Sequence, residues 1–469
     1  MPVEPITLIK GDKLSIETDY RDNLPVNMYA VKRDILGAQG YMIEYPGLRL
    51  LGNVNGIDRG AIYNDRIVKH FRVSGDKLIE VSPGGVETQL GTISGTEQVS
   101  LPYSFQSQVI IADQKMYRYT TSLGLVEVTD PDLGKPIDCV WINGYYFLTD
   151  GESIYHTDIT DETSIDPLKF ATSEFSPDPT LGVSKTQDNI VVVWNRNSVE
   201  YFKDIAQTNF AFTRLENRAQ KIGIVATHAK TEHKGTFYIL GGEKDGSIFA
   251  YAVGTGSNVK ISTREIDRII EQYNEEDLKD VRVESRYEKD VSFILMHLPN
   301  ETLCYNVDIA NTFGKEYAWS ILQSDINGSM PYRGINGVFD GRSGQWVYGD
   351  KREGKIGTLD ETSGNHYGDK TEWILFSPLL DLERFSIDQL SIDTITGHTS
   401  VDDATVAFSV TYDGVIFSSE YWSLYGTPYN YNLRFFLRRL GSVNNWIGFK
   451  FRGAASSRYA FAKMEIEYN

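Results

Sequence analysis

The chain has 469 residues, with 46 Lys plus Arg against 64 Asp plus Glu and a formal net charge of −18. A hydrophobic fraction of 41% and an aromatic fraction of 12% exclude global disorder. The charge excludes a basic nucleic-acid-binding face over the whole molecule and leaves room only for a local basic patch.

Residues 1–50 hold few hairpin signals. They carry LPVNM (24–28) and EYPGL (44–48), where proline keeps the preceding residue extended. This segment is expected as an extended N-terminal arm that reaches a neighbour, or as an ordinary strand edging the core. Its opening stretch, MPVEPITLIKGDK, lacks the basic start and long apolar core of a secretory signal.

From residue 51 to 370 the chain reads as β almost throughout. Seven apolar runs each turn back through a short polar segment. The turns are SGDK (74–77), DQK (113–115), DGES (150–153), NRNS (195–198), EKDG (243–246), PNET (299–302) and DKREG (350–354). Their spacing of roughly 40 to 55 residues is that of β-propeller blades with about four strands each. No WD or kelch signature accompanies it, and on spacing alone a long β-sandwich or a stack of β-domains stays open.

One segment departs from this pattern. Residues 262–280, STREIDRIIEQYNEEDLKD, place Ser262 three residues before Glu265 as a capping box, then Ile266, Ile269, Ile270 and Tyr273 at helical spacing. A helix is expected there, with Asn274 capping a second short turn. Residues 371–469, with a hairpin turn at Tyr412-Asp413-Gly414, are expected as a separate β-sandwich-like unit or as strands closing the propeller. The fold class is thus mainly β with one inserted helix.

Catalytic constellations are sought and not found. Cys139 and Cys304 exclude a disulfide framework and a Cys-rich zinc site, and both sit in apolar strand-like runs that suit buried thiols. Such free thiols fit synthesis in a reducing cytosol. Of seven histidines only His228 and His233 are close, without the spacing or carboxylate of a metal site. No GxSxG, Walker loop or GxGxxG occurs, and GTGS (254–257) reads as a turn. Asp402 and Asp403 are adjacent, so on a strand they face opposite sides and cannot act together. No stretch of 18 apolar residues exists to span a membrane. No catalytic, cofactor or metal residue is assigned.

The string DYRDNLPVNMYAVKRDILGAQGYMIEYPGL (19–48) resembles the N-terminal signature of the packaged-DNA stabilisation proteins, the tail hub or nozzle proteins of short-tailed bacteriophages. The matching positions are Tyr20, Leu24 to Met28, Asp34 to Leu36, Gly40-Tyr41 and Pro46-Gly47. Further matches follow in order, among them GIDRGAIYN (56–64), IDRIIEQYNEEDL (266–278), HLPNETLCYN (297–306), YGDKREGKIGTLD (348–360) and RRLGSVNNWIGFKFRG (438–453). They span the chain, most weakly from 65 to 190.

The resemblance implies a non-enzymatic virion tail protein, made in the host cytoplasm, with a propeller body. It implies a hexameric ring below the portal and its adaptor that extends the DNA channel and retains packaged double-stranded DNA. A tail needle and tailspikes would attach to it. Tyr20, Leu24, Pro25, Asn27, Tyr45 and Pro46 in the arm, and Arg434, Arg438 and Arg439 in the basic C-terminal part, are the expected partner-contacting residues. A second expectation, from a different class, is a propeller hydrolase or carbohydrate-binding module acting on host glycans.

The charge is unevenly spread. Residues 1–120 carry 13 basic and 14 acidic groups, residues 121–420 carry 26 and 48, and residues 421–469 carry 7 and 2. An acidic body lining a DNA channel would repel phosphates and let the genome slide.

Overall fold

The structure is a computed structural model and describes residues 3–10, 23–381, 384–399, 401, 404–427 and 434–469. Among these, seven antiparallel sheets follow one another from residue 47 to 360 as the blades of a β-propeller. Numbered in chain order, blade one spans Asp58–Asn64, Lys69–Ser74, Lys77–Val81 and Glu87–Thr92. Blade two has Gln108–Ala112, Lys115–Thr120 and Gly124–Glu127, and bridges Ser100 to Ile111 and Tyr103 to Gln108 supply its innermost position. Blades three and four run from Asp138–Ile142 to Asp161–Thr172 and from Thr180–Lys185 to Phe212–Arg214. Blades five and six run from Gly223–Ile224 to Ser257–Lys260 and from Arg282–Glu288 to Trp319–Leu322.

Blade seven is made from both ends of the body. Gly334–Asp340, Gln345–Asp350 and Lys355–Asp360 come from late in the chain. The fourth strand is Gly47–Asn53, which pairs antiparallel with Lys355–Asp360.

Each of the seven hairpins expected from sequence is the second and third strand of one blade. These strands read as continuous apolar runs because a blade is packed on both faces. In Gln108–Ala112, Ile110 and Ala112 face blade one with Phe71 and Val73, while Val109 and Ile111 face blade three with Tyr146 and Leu148. The period of two is intact, but both phases are apolar.

The expected helix is shorter than its pattern. It spans Arg264–Ile270, with Thr263 rather than Ser262 at the N-cap, and Ser262 is buried with its hydroxyl unpartnered. Beyond it the chain turns, because Asn274 and Asp277 exchange backbone-to-side-chain hydrogen bonds of 3.0 Å each. Buried Leu278 and Val281 then anchor the return to blade six. A second helix, Val307–Phe313, starts at Asn306, whose side chain accepts from Ile309 N at 3.2 Å.

After blade seven the chain forms a two-sheet sandwich. One sheet has the order Met28–Val31, Tyr41–Glu44, Ala460–Tyr468, Phe385–Thr394, Arg434–Val443, with Val3–Ile6 also pairing Ala460–Tyr468. The other has the order Trp373–Phe376, Trp446–Gly453, Thr405–Thr411, Tyr421–Leu424, with Leu380–Asp381 also on Trp446–Gly453. Stacked Phe408 and Phe449, 5.5 Å between centroids, lie in its core.

The described part of the expected N-terminal arm is therefore built into the molecule. Its first strands belong to the sandwich sheet and Gly47–Asn53 closes the propeller. Leu48 on the closing strand is 1% exposed. Leu48→Ala is expected to cost about 2–5 kcal/mol, the range for a buried Leu truncation, read as a lower midpoint in urea unfolding.

Candidate assembly surfaces and the closed propeller axis

Innermost strands of a propeller bring side chains from every blade to a common axis. Here side chains from several blades bond to one another near the strand starts. Asp138 of blade three accepts from Lys230 Nζ of blade five at 2.8 Å, from Ser100 Oγ of blade two at 2.5 Å and from Val183 N of blade four at 2.9 Å. Asn336 of blade seven donates to Asp58 Oδ1 of blade one at 2.7 Å and to Gln98 Oε1 at 2.9 Å. Arg72 reaches in from blade one, donating to Asp58 at 2.6 Å and to the carbonyls of Asn336 and Val347 at 3.1 Å. Gly349 has no room for a side chain, since a Cβ there would lie 2.2 Å from the Asp58 carboxyl carbon.

The charges of this network are set by burial and by its cations. Burial pulls His228 down to about 3, with Arg282 and Lys230 adding to it. His228 is thus neutral, and its Nδ1 accepts from Arg282 Nη1 at 3.0 Å. Burial likewise lowers His297 to about 4, so the neutral ring donates Nε2–H to Glu284 at 2.9 Å. His70 is lowered to about 4 by burial, helped by Arg72 and opposed by its hydrogen bond to Asp340 at 3.3 Å. Burial opposes ionisation of Asp138, but Lys230 and the hydrogen bonds outweigh it and hold its carboxyl below the usual range. Burial lowers Lys351 to about 7.

A second concentration of buried polar groups joins the sandwich to the propeller. Asn27, 4% exposed and at φ 49°, donates to Gln323 O at 3.0 Å and to Glu372 O at 2.7 Å. Its Oδ1 accepts from Gln323 N at 2.9 Å and its carbonyl accepts from Tyr45 N at 2.7 Å. Asparagine tolerates this left-handed backbone and supplies both a donor and an acceptor. Arg458, also buried, donates to Glu44 O at 2.6 Å and to Tyr29 Oη at 3.0 Å, and pairs with Glu361 beyond blade seven.

Several residues expected to meet a partner lie in this seam. Leu24, Tyr45 and Pro46 are buried like Asn27, and Pro25 O accepts from Ile321 N at 2.9 Å. The Tyr45 ring packs against Tyr332 at 5.6 Å and carries the Arg286 guanidinium 4.7 Å from its centroid. Within the chain these residues join the sandwich side of the molecule to blades six and seven. Tyr20, Asp402 and Asp403 lie outside the described residues.

Arg434, Arg438 and Arg439 fall on Arg434–Val443, a sheet edge. Arg438 is exposed and donates to Gln389 Oε1 at 3.0 Å; the side chains of Arg434 and Arg439 lie outside what is described. Sequence reasoning missed Arg458 and the axial set. Single charged residues flanking apolar strands gave no sign that folding would bring them together.

The remaining sequence readings have plain structural outcomes. His228 sits in the axial network and His233 ends the strand Lys230–His233. GTGS is the turn between Phe249–Gly254 and Ser257–Lys260, with Gly256 at φ 91°. Asp413 accepts from the backbone N–H groups of Val415 and Ile416 at 2.8 Å, closing the turn after Thr405–Thr411. Cys139 and Cys304 are free, buried thiols.

Two outcomes test these networks. Asn27→Ala removes three side-chain hydrogen bonds and the residue suited to the positive φ. It should lower unfolding stability by roughly 2–4 kcal/mol in denaturant titration, with Asn27→Gly recovering only the backbone part. The second concerns pH. Unfolded histidines take a proton near pH 6.5 that buried His70, His228, His297 and His366 refuse until about 3 to 4. The unfolded state then binds more protons, so stability falls as pH drops from about 6.5 toward 4. Thermal unfolding across that window should show it, with a shallower slope in His297→Gln.

Comparison with known proteins agrees with this architecture. A family profile described as "Bacteriophage P22 Gp10, beta-propeller" matches residues 4–364, and one described as "Bacteriophage P22 Gp10, beta-sandwich" matches residues 372–469. The protein named tail hub protein gp10 of Salmonella phage P22 is 27% identical over 482 aligned positions, covering 99% of each chain. Among solved structures, the Neurospora crassa Pan2 WD40 domain aligns with 66% of this chain and 95% of its own, at 8% identity and a TM-score of 0.42. The extracellular domain of the one-component system BT4673 of B. thetaiotaomicron aligns with 77% of this chain and 45% of its own, at 10% identity and a TM-score of 0.44. With both profiles matched in order along nearly the whole length, the chain belongs to the bacteriophage P22 Gp10 family, a β-propeller followed by a β-sandwich.

Proposed function

We propose that this protein is a structural hub of a short-tailed phage tail, assembling as a ring of six copies beneath the portal and its adaptor. The observation that carries the reading is the end-to-end similarity to a protein named tail hub protein, across both the propeller and the sandwich. In this reading the ring extends the DNA channel, keeps packaged DNA from leaking and offers attachment to a tail needle and tailspikes.

The axial network shapes the reading. Asp138 of blade three and Lys230 of blade five, bonded at 2.8 Å past blade four, narrow the centre of the propeller. In this reading the channel therefore runs between copies, with the propeller as a wall segment. A wall drawn from residues 121–420, with 48 acidic against 26 basic groups, would repel phosphates and release few counterions, so DNA would move past without sticking. Arg434, Arg438 and Arg439 would serve to dock an acidic surface. A role of this kind asks for positioning and stiffness and not for catalysis.

Electron microscopy of the purified chain mixed with portal–adaptor complex tests the proposal. Six-fold ring density below the adaptor is the expected result, and its absence at saturating concentration would overturn the reading. Turnover of a host glycan that is lost on changing one carboxylate would instead establish the hydrolase.

A further inference from the structure

Of the β-edges left open among the described residues, two of opposite charge lie at opposite ends of the molecule. The first is the outer strand of blade three, Asp161–Thr172, which pairs only with Ser153–Asp158. The second is Arg434–Val443, which pairs only with Phe385–Thr394. The sandwich is held at blades six and seven, through Asn27 bonded to Ile321 and Gln323 and through Arg458 paired with Glu361. In a ring of seven, blade three is three steps from blade six and three from blade seven, hence diametrically across. Within the sandwich sheet, Met28–Val31 lies on the propeller side and Arg434–Val443 is four strand spacings further out, about 19 Å at ~4.8 Å each.

The two edges are complementary in charge and alike in apolar exposure. Residues 158–178 hold six carboxylates against Lys169 alone. Lys169 already pairs with Asp158 and Asp166, and Arg118 with Glu162. Asp161, Glu174 and Asp178 meet only hydroxyl or backbone amide donors. Residues 434–446 hold three arginines and no carboxylate. Leu168 is 81% exposed, Phe170 52% and Phe436 44%. An open edge with exposed apolar side chains is a template for pairing with another chain. Pro167 lacks an N–H, which confines such pairing to the Leu168–Thr172 half of its strand.

We infer that successive copies of this chain meet head to tail, the acidic outer strand of blade three on one copy against the basic sandwich edge Arg434–Val443 on the next. The contact is heterologous: different patches at opposite ends, repeated from copy to copy, generate a ring when the rotation closes. Backbone pairing sets the register, Leu168, Phe170 and Phe436 exclude water, and Arg438 faces the carboxylates that have no cation partner. The inference rests on the hub reading, whose oligomer it supplies with a surface.

Cysteine trapping on the full chain tests it. Leu168→Cys chain is mixed with Phe436→Cys chain under mild oxidation, alone and on portal–adaptor complex; Cys139 and Cys304 are buried and do not compete. The mixed disulfide dimer should form at least tenfold faster than in a control mixture of Phe436→Cys with Val86→Cys, an exposed position on blade one. Arg438→Glu or Glu174→Lys should each slow trapping about tenfold, and combining one on each partner should restore it to within about threefold. Trapping at the control rate while six-fold rings still form overturns this inference and leaves the hub reading standing. Loss of the rings themselves is the separate result that removes the hub reading.

Discussion

The pairing of Gly47–Asn53 with Lys355–Asp360 is the constraint on which the rest of this architecture depends. A propeller is a sheet array bent into a ring, and its first and last blades must be joined or both would expose apolar faces and open edges. Here the join uses a strand from ahead of blade one, so the N-terminal segment is carried to blade seven. The chain leaving blade seven starts from the same place. Both ends of the polypeptide therefore meet on one side of the ring, and the sandwich is built from both, with Met28–Val31 and Tyr41–Glu44 beside Ala460–Tyr468.

That convergence explains the chemistry of the seam. Where strands from residues 28–44, 321–323, 361 and 372–374 come together, irregular backbone is buried and its polar groups need partners. Asn27 and Arg458 supply them with directed side-chain hydrogen bonds, and Asn306 adds a donor to Ala30 O at 2.9 Å. The axial network solves a similar problem by another means. Innermost strands cannot all carry large apolar groups in so narrow a space, and a set of hydrogen-bonded ions and amides fills it, with Asp138 paired to Lys230 and Asp58 to Arg72.

The fold was legible in the sequence to the extent that it is local. The second and third strands of every blade are joined by short polar turns, so each hairpin announced itself. The first strands did not, because Gly223–Ile224 and the bridged positions Ser100 and Tyr103 are too short to show a period. The helix is shorter than its pattern because Tyr273 keeps the apolar spacing although the helix stops at Ile270 and Asn274 caps the turn beyond it. The LPVNM segment looked like an arm because extended, proline-flanked chain carries no record of what it pairs with. Val26 bridges to Ile321 and Ile374, 295 and 348 residues further along the chain. Resemblance to a family identified the segment as distinctive, and only the three-dimensional arrangement shows that Asn27 acts within its own chain.

Closure by an early strand also has a consequence in time. Gly47–Asn53 emerges from the ribosome roughly 300 residues before Lys355–Asp360, a wait of about 15–60 s at ordinary synthesis rates. During that interval the blades can form one by one from local hairpins, but the ring cannot shut. The nascent chain must hold an unpaired β-edge until almost four-fifths of the protein exists.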